Sequence, residues 1–358
     1  MQNSSGQRFG STGTLSELPD GQTGDSTVEP QSDPYPKIIL SGTDPDLPDD
    51  FHNSFARYVN FQPMGGGGNG VLRSCWDSIM GRPVAMKTLS PKLACEKDYR
   101  RRFLREARVT AQLQHPNTVP VYDIGLDDQR CLYFTMKRIA GDDLYHISQR
   151  LKAGDENAMA EYPLERILDV LIQTSQALAY AHSHGVIHRD VKPENVWVGR
   201  FGEVVLLDWG VAKVWGQADD TSEQAHRLVG ASEELLQTLT RSGQRPGTPL
   251  YMSPEQVLGN RHVDERTDVY SLGVMLYELL TFSEPFRGVN VRATFDQIIN
   301  DEVVPPSARN SGQIFPQFLE QICLKSLQKD PGNRFQSMLE LIAALHQCQR
   351  ELVDSYED

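Results

Sequence analysis

The chain has 358 residues, 39% hydrophobic and 23% charged, a composition that suits a soluble globular protein of two or three domains. A formal net charge of −13 argues against a general nucleic-acid binder or a protein that lies on anionic membranes. No apolar run reaches the ~18 residues needed to cross a bilayer, and the longest candidate, Ser271 to Phe282, is short and carries Glu278.

The five cysteines are scattered, odd in number and free of any Cys-x-x-Cys pair, which suits a reducing compartment with free thiols. The N-terminus lacks the basic-then-apolar order of a secretory signal, so the expected location is cytoplasmic. Residues 1–50 hold nine acids against Arg8 and Lys37, amid Ser, Gly, Thr and Pro. Such a segment buries too little surface to offset its ordering entropy, and it is expected to be a disordered acidic tail. Its one apolar island, YPKIIL, offers Ile38, Ile39 and Leu40 as a docking element.

Strand-like runs begin near Tyr58, clearest in RPVAMKTL and CLYFTMKRI, with one helix pattern, EKDYRRRFLREARVTAQLQ, between them. From about Gly141 the pattern is mainly helical. The expected organisation is a small sheet-rich part over 51–136, a larger helical part over 137–350 and an acidic tail over 351–358. Trp215 to Arg245 is polar and weakly patterned, and loops of that length are usually functional or disordered.

Three places carry chemistry. In MGGGGNGVL, Gly65, Gly67 and Gly70 follow a Gly-x-Gly-x-x-Gly spacing, which lets backbone approach a phosphate; a flexible hairpin turn gives the same letters. No Gly-Lys-Ser/Thr follows, so it is not a Walker loop. Lys87 sits on a strand pattern with Ala85, and Glu106 lies in the helix pattern as a carboxylate partner. Such an ion pair would hold the ammonium against the α- and β-phosphates of a nucleotide.

The third place is HSHGVIHRDVKPEN. His182 and His184 end an amphipathic helix pattern that Gly185 stops, a setting that favours the helix dipole over metal ligation. Beyond them come Asp190, Lys192 and Asn195, with Asp208 in VVLLDWG at the end of an apolar strand. A magnesium–nucleotide needs few hard oxygen ligands, and Asp208 with Asn195 suffices. Asp190 is then free to orient an incoming hydroxyl, while Lys192 offsets charge on the transferred group.

Together with GTPLYMSPEQ, DVYSLG and KDPGNRF, these stretches occur in an order that resembles a eukaryotic-type (Hanks-type) protein kinase, most similar to the bacterial serine/threonine kinases. The resemblance runs from about Tyr58 to about Cys348. It implies an α+β, two-lobed protein-kinase fold with a β-rich small lobe bearing one regulatory helix, and a helical large lobe. It further implies ATP and Mg²⁺ (or Mn²⁺) as cofactors, and protein substrates phosphorylated on Ser or Thr. No nucleic acid and no membrane span are expected, and a dimer is one arrangement for autophosphorylation in trans.

The resemblance also assigns further residues. Met136 stands at the back of an adenine pocket, Lys137, Arg138 and Ile139 form the hinge, and Leu72 and Ala85 sandwich the ring. Thr248 braces Asp190 and Lys192. Glu255 pairs with Arg334, and Asp268 holds the catalytic-loop backbone from a buried helix. His188 is a packing and hydrogen-bonding residue. Arg189 and Lys213 receive a phosphate from the activation segment, 208–255, with Thr240 or Ser242 as the expected sites; Arg100, Arg101, Arg105 and Arg108 offer a further basic face.

This sequence departs from the family pattern in Trp209, which replaces phenylalanine in DWG, in Leu72 for valine, and in a long activation segment. The alternatives are a nucleotide-binding pseudokinase scaffold, which would normally lose Lys87, Asp190 or Asp208, and a small-molecule kinase, which generally lacks GTPLYMSPE and Arg334. Bacterial relatives often add a membrane span and a sensor after the kinase; ending at ELVDSYED, this chain fits a soluble form or a fragment.

Overall fold

The computed structural model describes residues 55–67, 70–214, 247–260, 263–310 and 315–357. The expectations for the tail 1–50 with its Ile38–Leu40 island, for the Trp215–Arg245 loop, and for Thr240 and Ser242 lie outside the described residues.

Five strands, β1 (Tyr58–Gly67), β2 (Gly70–Asp77), β3 (Arg82–Leu89), β4 (Val121–Leu126) and β5 (Leu132–Lys137), form one antiparallel sheet in the order β1-β2-β3-β5-β4. The alternation in RPVAMKTL divides its side chains between two faces. Val84 and Met86 join Tyr58, Cys75 and Tyr133 in a small core, against which Phe55 and Phe61 pack. On the opposite face, helix α1 (Lys97–Gln112) inserts Phe103 and Ala107 against Leu89, Leu132 and Phe134. That docking turns the Glu106 side of the helix toward Lys87.

The larger part contains α2 (Leu144–Lys152), α3 (Glu156–Glu161), α4 (Leu164–Ser183), α5 (Gly247–Tyr251), α6 (Pro254–Val257) and α7 (Arg266–Thr281). It continues with α8 (Val291–Asn300), α9 (Pro306–Arg309), α10 (Gln317–Ser326) and α11 (Met338–Glu357). The apolar run of Ser271 to Phe282 lies in α7, which is buried almost all round and forms the axis of the core. Among the described residues, no helix is long and apolar enough to cross a membrane. All five cysteines are free thiols, and Cys95 alone is exposed.

Helix α4 ends where the sequence places its stop: Gly185 has φ +71°, a conformation glycine adopts without a Cβ penalty. Short strands follow, of which the sequence pattern contained only the apolar one before Asp208. β7 (Val186–Ile187) pairs with β10 (Lys213–Val214), and β6 (Gly141–Asp143), β8 (Val196–Gly199) and β9 (Val204–Leu206) make a second sheet. Runs of two to four residues are too short to display a two-residue period. They are nevertheless what aims the loops carrying Asp190 and Asp208.

Candidate active site

Lys87 and Glu106 meet directly, Nζ to Oε1, across the gap between β3 and α1. The register sets Leu72 opposite Lys87, Ser74 opposite Ala85, and Ala85 opposite Met136. Leu72, Ala85, Lys87 and Met136 therefore share one face of the sheet. This corrects one expectation: Leu72 and Ala85 lie on one face of the sheet, so they do not stand on opposite sides of a cleft as a sandwich requires. The glycine stretch forms the β1–β2 hairpin, with Gly65 opposite Leu72 and Gly67 opposite Gly70. A Cβ at Gly70 would stand 2.8 Å from the Thr88 carbonyl oxygen, so strand packing demands glycine there independently of any phosphate.

Beyond Met136 the Lys137 N–H donates to the Pro120 carbonyl at 3.0 Å. Among the described residues, none bonds to the main chain of Arg138 or Ile139. The Ile139 side chain is buried with Val119 and Val205.

The loop after β7 is built around backbone bonds. The Asp190 N–H donates to His188 Nδ1 at 3.2 Å, so Nε2 carries the ring proton and donates to the Leu207 carbonyl at 3.0 Å. His188 is fully buried and packs tilted against Trp209, with 4.5 Å between ring centroids. It joins the segments bearing Asp190 and Asp208 and is neither metal ligand nor base. Asp268, in α7, accepts the N–H of Arg189 at 2.8 Å on Oδ1 and that of His188 at 2.9 Å on Oδ2. His182 Nε2 also donates to Asp268 Oδ2 at 2.8 Å, so this histidine is a structural donor and not merely a partner for the helix dipole.

Within the loop, Lys192 Nζ donates to Asp190 Oδ2 at 2.5 Å. Asn195 Nδ2 donates to the Asp190 carbonyl at 2.8 Å, and Leu207 N–H returns to the Asn195 carbonyl at 2.8 Å. Asp208 follows at φ +63°, a left-handed conformation unusual for a non-glycine residue, and its Oδ1 accepts the Gly210 N–H at 3.2 Å. A Cβ on Gly210 would lie 3.0 Å from Asp208 Oδ1 and 3.3 Å from Glu106 Oε2, so both carboxylates border that glycine.

One ammonium therefore serves two acids. The charge of Lys87 holds the Asp208 carboxyl below its ordinary range, although burial opposes this. Burial, reinforced by Asp208, pushes Glu106 up to about 7 despite Lys87. Burial opposes the charge on Lys87, but Asp208 and Glu106 outweigh it and raise its pKa. Burial also raises Asp190, with Asp208 adding to it and Lys192 working against both. Lys87, Glu106, Asp190 and Asp208 are drawn together from two lobes and shift one another's titration, as charged groups at chemical sites do.

The donor set fits a hard divalent cation. Asn195 commits its amide nitrogen to Asp190, which leaves Oδ1 as an oxygen acceptor, and Asp208 supplies a carboxylate. Among the described residues, no cluster of three acidic, His or Cys side chains forms a complete metal cage. Two oxygen donors suit an ion that keeps waters and phosphate oxygens as its other ligands.

Glu255 and Arg334 form a buried two-pronged pair, and Thr267 Oγ1 donates to Glu255 Oε1 at 2.7 Å. Arg189 donates from Nε at 2.9 Å and Nη2 at 2.5 Å to the Val211 carbonyl, and Lys213 Nζ reaches the Val263 carbonyl at 3.4 Å. The backbone of Thr248 lies in α5, and its expected bracing of Asp190 falls outside the described side chains.

The protein kinase domain profile matches residues 58–345. The chain belongs to the protein kinase family. A serine/threonine-protein kinase PknD of Protochlamydia amoebophila is 37% identical over 295 residues, covering 80% of this chain and 29% of that protein. The PknD kinases of Chlamydia muridarum and Chlamydia pneumoniae are 36% and 35% identical, over 81% and 80% of this chain and 31% and 30% of theirs. The chain thus spans about three-tenths of the length of the curated relatives it matches. The two-lobed α+β kinase architecture and the likeness to bacterial serine/threonine kinases are as the motifs imply.

Sequence reasoning missed three residues of this kinase site: His182, Gly210 and Gln256. His182 was visible as a histidine, but its acceptor lies 86 positions away. Gly210 was visible within DWG. Nothing local marked Gln256, whose Nε2 donates to the Arg189 carbonyl at 2.9 Å.

Proposed function

We propose that the chain is a serine/threonine protein kinase that transfers the γ-phosphoryl group of ATP to Ser or Thr hydroxyls of proteins. The observation that carries this is the direct pair of Lys87 with Glu106, set against Asp208, while Asp190 and Lys192 form the other wall. Lys87 is placed to bind phosphates with Glu106 fixing its direction. The sheet face of Leu72, Ala85 and Met136, with the main chain of Arg138 and Ile139, is suited to adenine. Gly65, Gly67 and Gly70 would pass over the phosphates.

Asn195 and Asp208 would hold Mg²⁺ or Mn²⁺, which when bound neutralises charge on the phosphates. Asp190, a carboxylate with lone pairs free beyond its bond to Lys192, accepts a hydrogen bond from the incoming hydroxyl and orients it. Lys192 offsets negative charge on the transferred group. Positioning and electrostatics supply most of the rate in such a transfer. The Glu255–Arg334 pair and Asp268 hold the loop backbones on which these groups ride.

Thr240 or Ser242 are the sites at which autophosphorylation would order the activation segment through Arg189 and Lys213, with a dimer serving transfer in trans. A cytoplasmic kinase with protein partners and no nucleic acid fits the charge and the free thiols. The test is incubation with Mg²⁺ and γ-labelled ATP on a mixed protein substrate, followed by phosphoamino-acid separation. Label on phosphoserine and phosphothreonine is expected; label on phosphotyrosine alone, or on a small metabolite, overturns the assignment.

A further inference from the structure

The peptide leading into Asp190 is held in an unfavourable shape. Arg189 has φ +66°, a left-handed conformation that brings the Cβ of an ordinary side chain too close to the following carbonyl. Such a conformation persists only where surrounding bonds over-determine it. Asp268 fixes the Arg189 N–H, and His188 Nδ1 fixes the Asp190 N–H. The remaining atom, the Arg189 carbonyl oxygen, accepts from Gln256 Nε2 at 2.9 Å. Gln256 is buried, and it belongs to α6, at the end of the activation segment, 67 positions away.

The other end of the same amide is also engaged. Gln256 Oε1 accepts the Ser253 N–H at 2.9 Å and the Ser253 hydroxyl at 3.2 Å, closing a capping box on α6. Ser253 Oγ touches Thr267 Oγ1 at 3.3 Å, and Thr267 bonds to Glu255, which Arg334 holds. One planar amide thus bridges the anchored end of the activation segment and the backbone carbonyl next to Asp190. A hydrophobic side chain of equal size would fill the space but join nothing.

We infer that Gln256 is a positioning residue for Asp190: its amide couples the placement of α6 to the left-handed Arg189 peptide, so that the carboxylate is aimed only when the end of the activation segment is seated. This rests on the proposed kinase activity. Asp268 and His188 hold the N–H groups whatever α6 does, while the carbonyl side depends on Gln256. Movement of α6 would remove the Gln256 bond and leave the left-handed Arg189 peptide held at its N–H side by His188, so that the Asp190 carboxylate is less firmly aimed at the hydroxyl.

The test replaces the amide nitrogen alone. Gln256→Glu keeps the oxygen that caps α6 but, when ionised, cannot donate to Arg189. Gln256→Met keeps the volume and removes both functions. The groups facing the introduced carboxyl are Ser253 and the Arg189 peptide, with Glu255 already paired to Arg334. Steady-state kinetics with ATP and a peptide substrate should show kcat of Gln256→Glu at pH 8 down by about tenfold, the equivalent of one lost buried hydrogen bond.

KM for ATP should stay within about twofold, since no nucleotide contact changes, and the kcat deficit of Gln256→Glu should shrink with falling pH while that of Gln256→Met does not. Lowering the pH toward the carboxyl's pKa, which burial against the Arg189 carbonyl raises from the ordinary glutamate value, restores a donor and should shrink the deficit relative to wild type. The inference is overturned if Gln256→Glu matches wild-type kcat at pH 8. It is also overturned if its loss is independent of pH and tracks a lower melting temperature. Wild-type protein without transfer activity would instead refute the kinase assignment, so the two failures are distinguishable.

Discussion

Glu255 and Arg334, 79 positions apart, meet through two parallel hydrogen bonds of 2.8 Å, with the guanidinium buried at 2% exposure. Arg334 also donates to the carbonyls of Gln328, Lys329 and Arg266, so its donors are almost all engaged by the large lobe. Glu255 is the carboxylate paired with this charge, and it stands next to Gln256 in the short helix α6.

Removing one partner leaves the other charge buried. Glu255→Gln should lower stability by about 3–5 kcal/mol, measured by chemical denaturation near pH 7. Burial raises the Glu255 carboxyl, but the bonds from Arg334 outweigh it and leave its pKa below the usual 4.5. A group depressed in the folded state stabilises above its unfolded pKa, and that contribution fades as pH falls through the folded value. Wild-type stability should therefore drop on acidification below about pH 4.5, and Glu255→Gln should remove part of that drop. An unchanged acid limb in the variant would show that the pair is not responsible.

The buried carboxylate of Asp268 accepts bonds from His182, His188 and Arg189. Substituting His182 by Phe keeps a ring in place but removes one donor, at a cost of about 1–3 kcal/mol. Because Asp268 also holds the backbone before Asp190, kcat should fall along with the melting temperature. A variant with wild-type kcat and stability would reduce His182 to a bystander.

Gly210 tests how tightly the two carboxylates of the cleft are placed. Gly210→Ala puts a methyl group 3.0 Å from Asp208 Oδ1 and 3.3 Å from Glu106 Oε2, so both must yield by a few tenths of an ångström. Catalytic efficiency with ATP should fall on the order of tenfold, about 1.4 kcal/mol, with little change in melting temperature. Efficiency equal to wild type would mean that the pair has slack.

Much of this was legible in the sequence because kinase chemistry concentrates in short motifs. Lys87 and Glu106 each lie in a strongly patterned element, so their meeting follows once β3 and α1 pack. Asp190, Lys192 and Asn195 lie within one loop. The shared face of Leu72 and Ala85 depends on strand register, which neither strand states alone. The His182–Asp268 and Gln256–Arg189 bonds join residues 86 and 67 positions apart whose side chains carry no local signal of the partner. Helix α4 announced its amphipathic face and its stop at Gly185, and β9 its apolar run before Asp208, whereas β6, β7, β8 and β10 were too short to announce anything.

The central claim is that Asp190 acts on the hydroxyl while Lys87 and Asp208 serve the nucleotide and its metal. Single-turnover transfer from Mg·ATP to a Ser/Thr peptide, with nucleotide affinity measured in parallel, tests it most directly. Asp190→Asn should bind nucleotide within about threefold of wild type yet lose transfer by at least a hundredfold, while Lys87→Met should lose transfer and weaken binding. Asp190→Asn transferring phosphate at the wild-type rate would contradict the account.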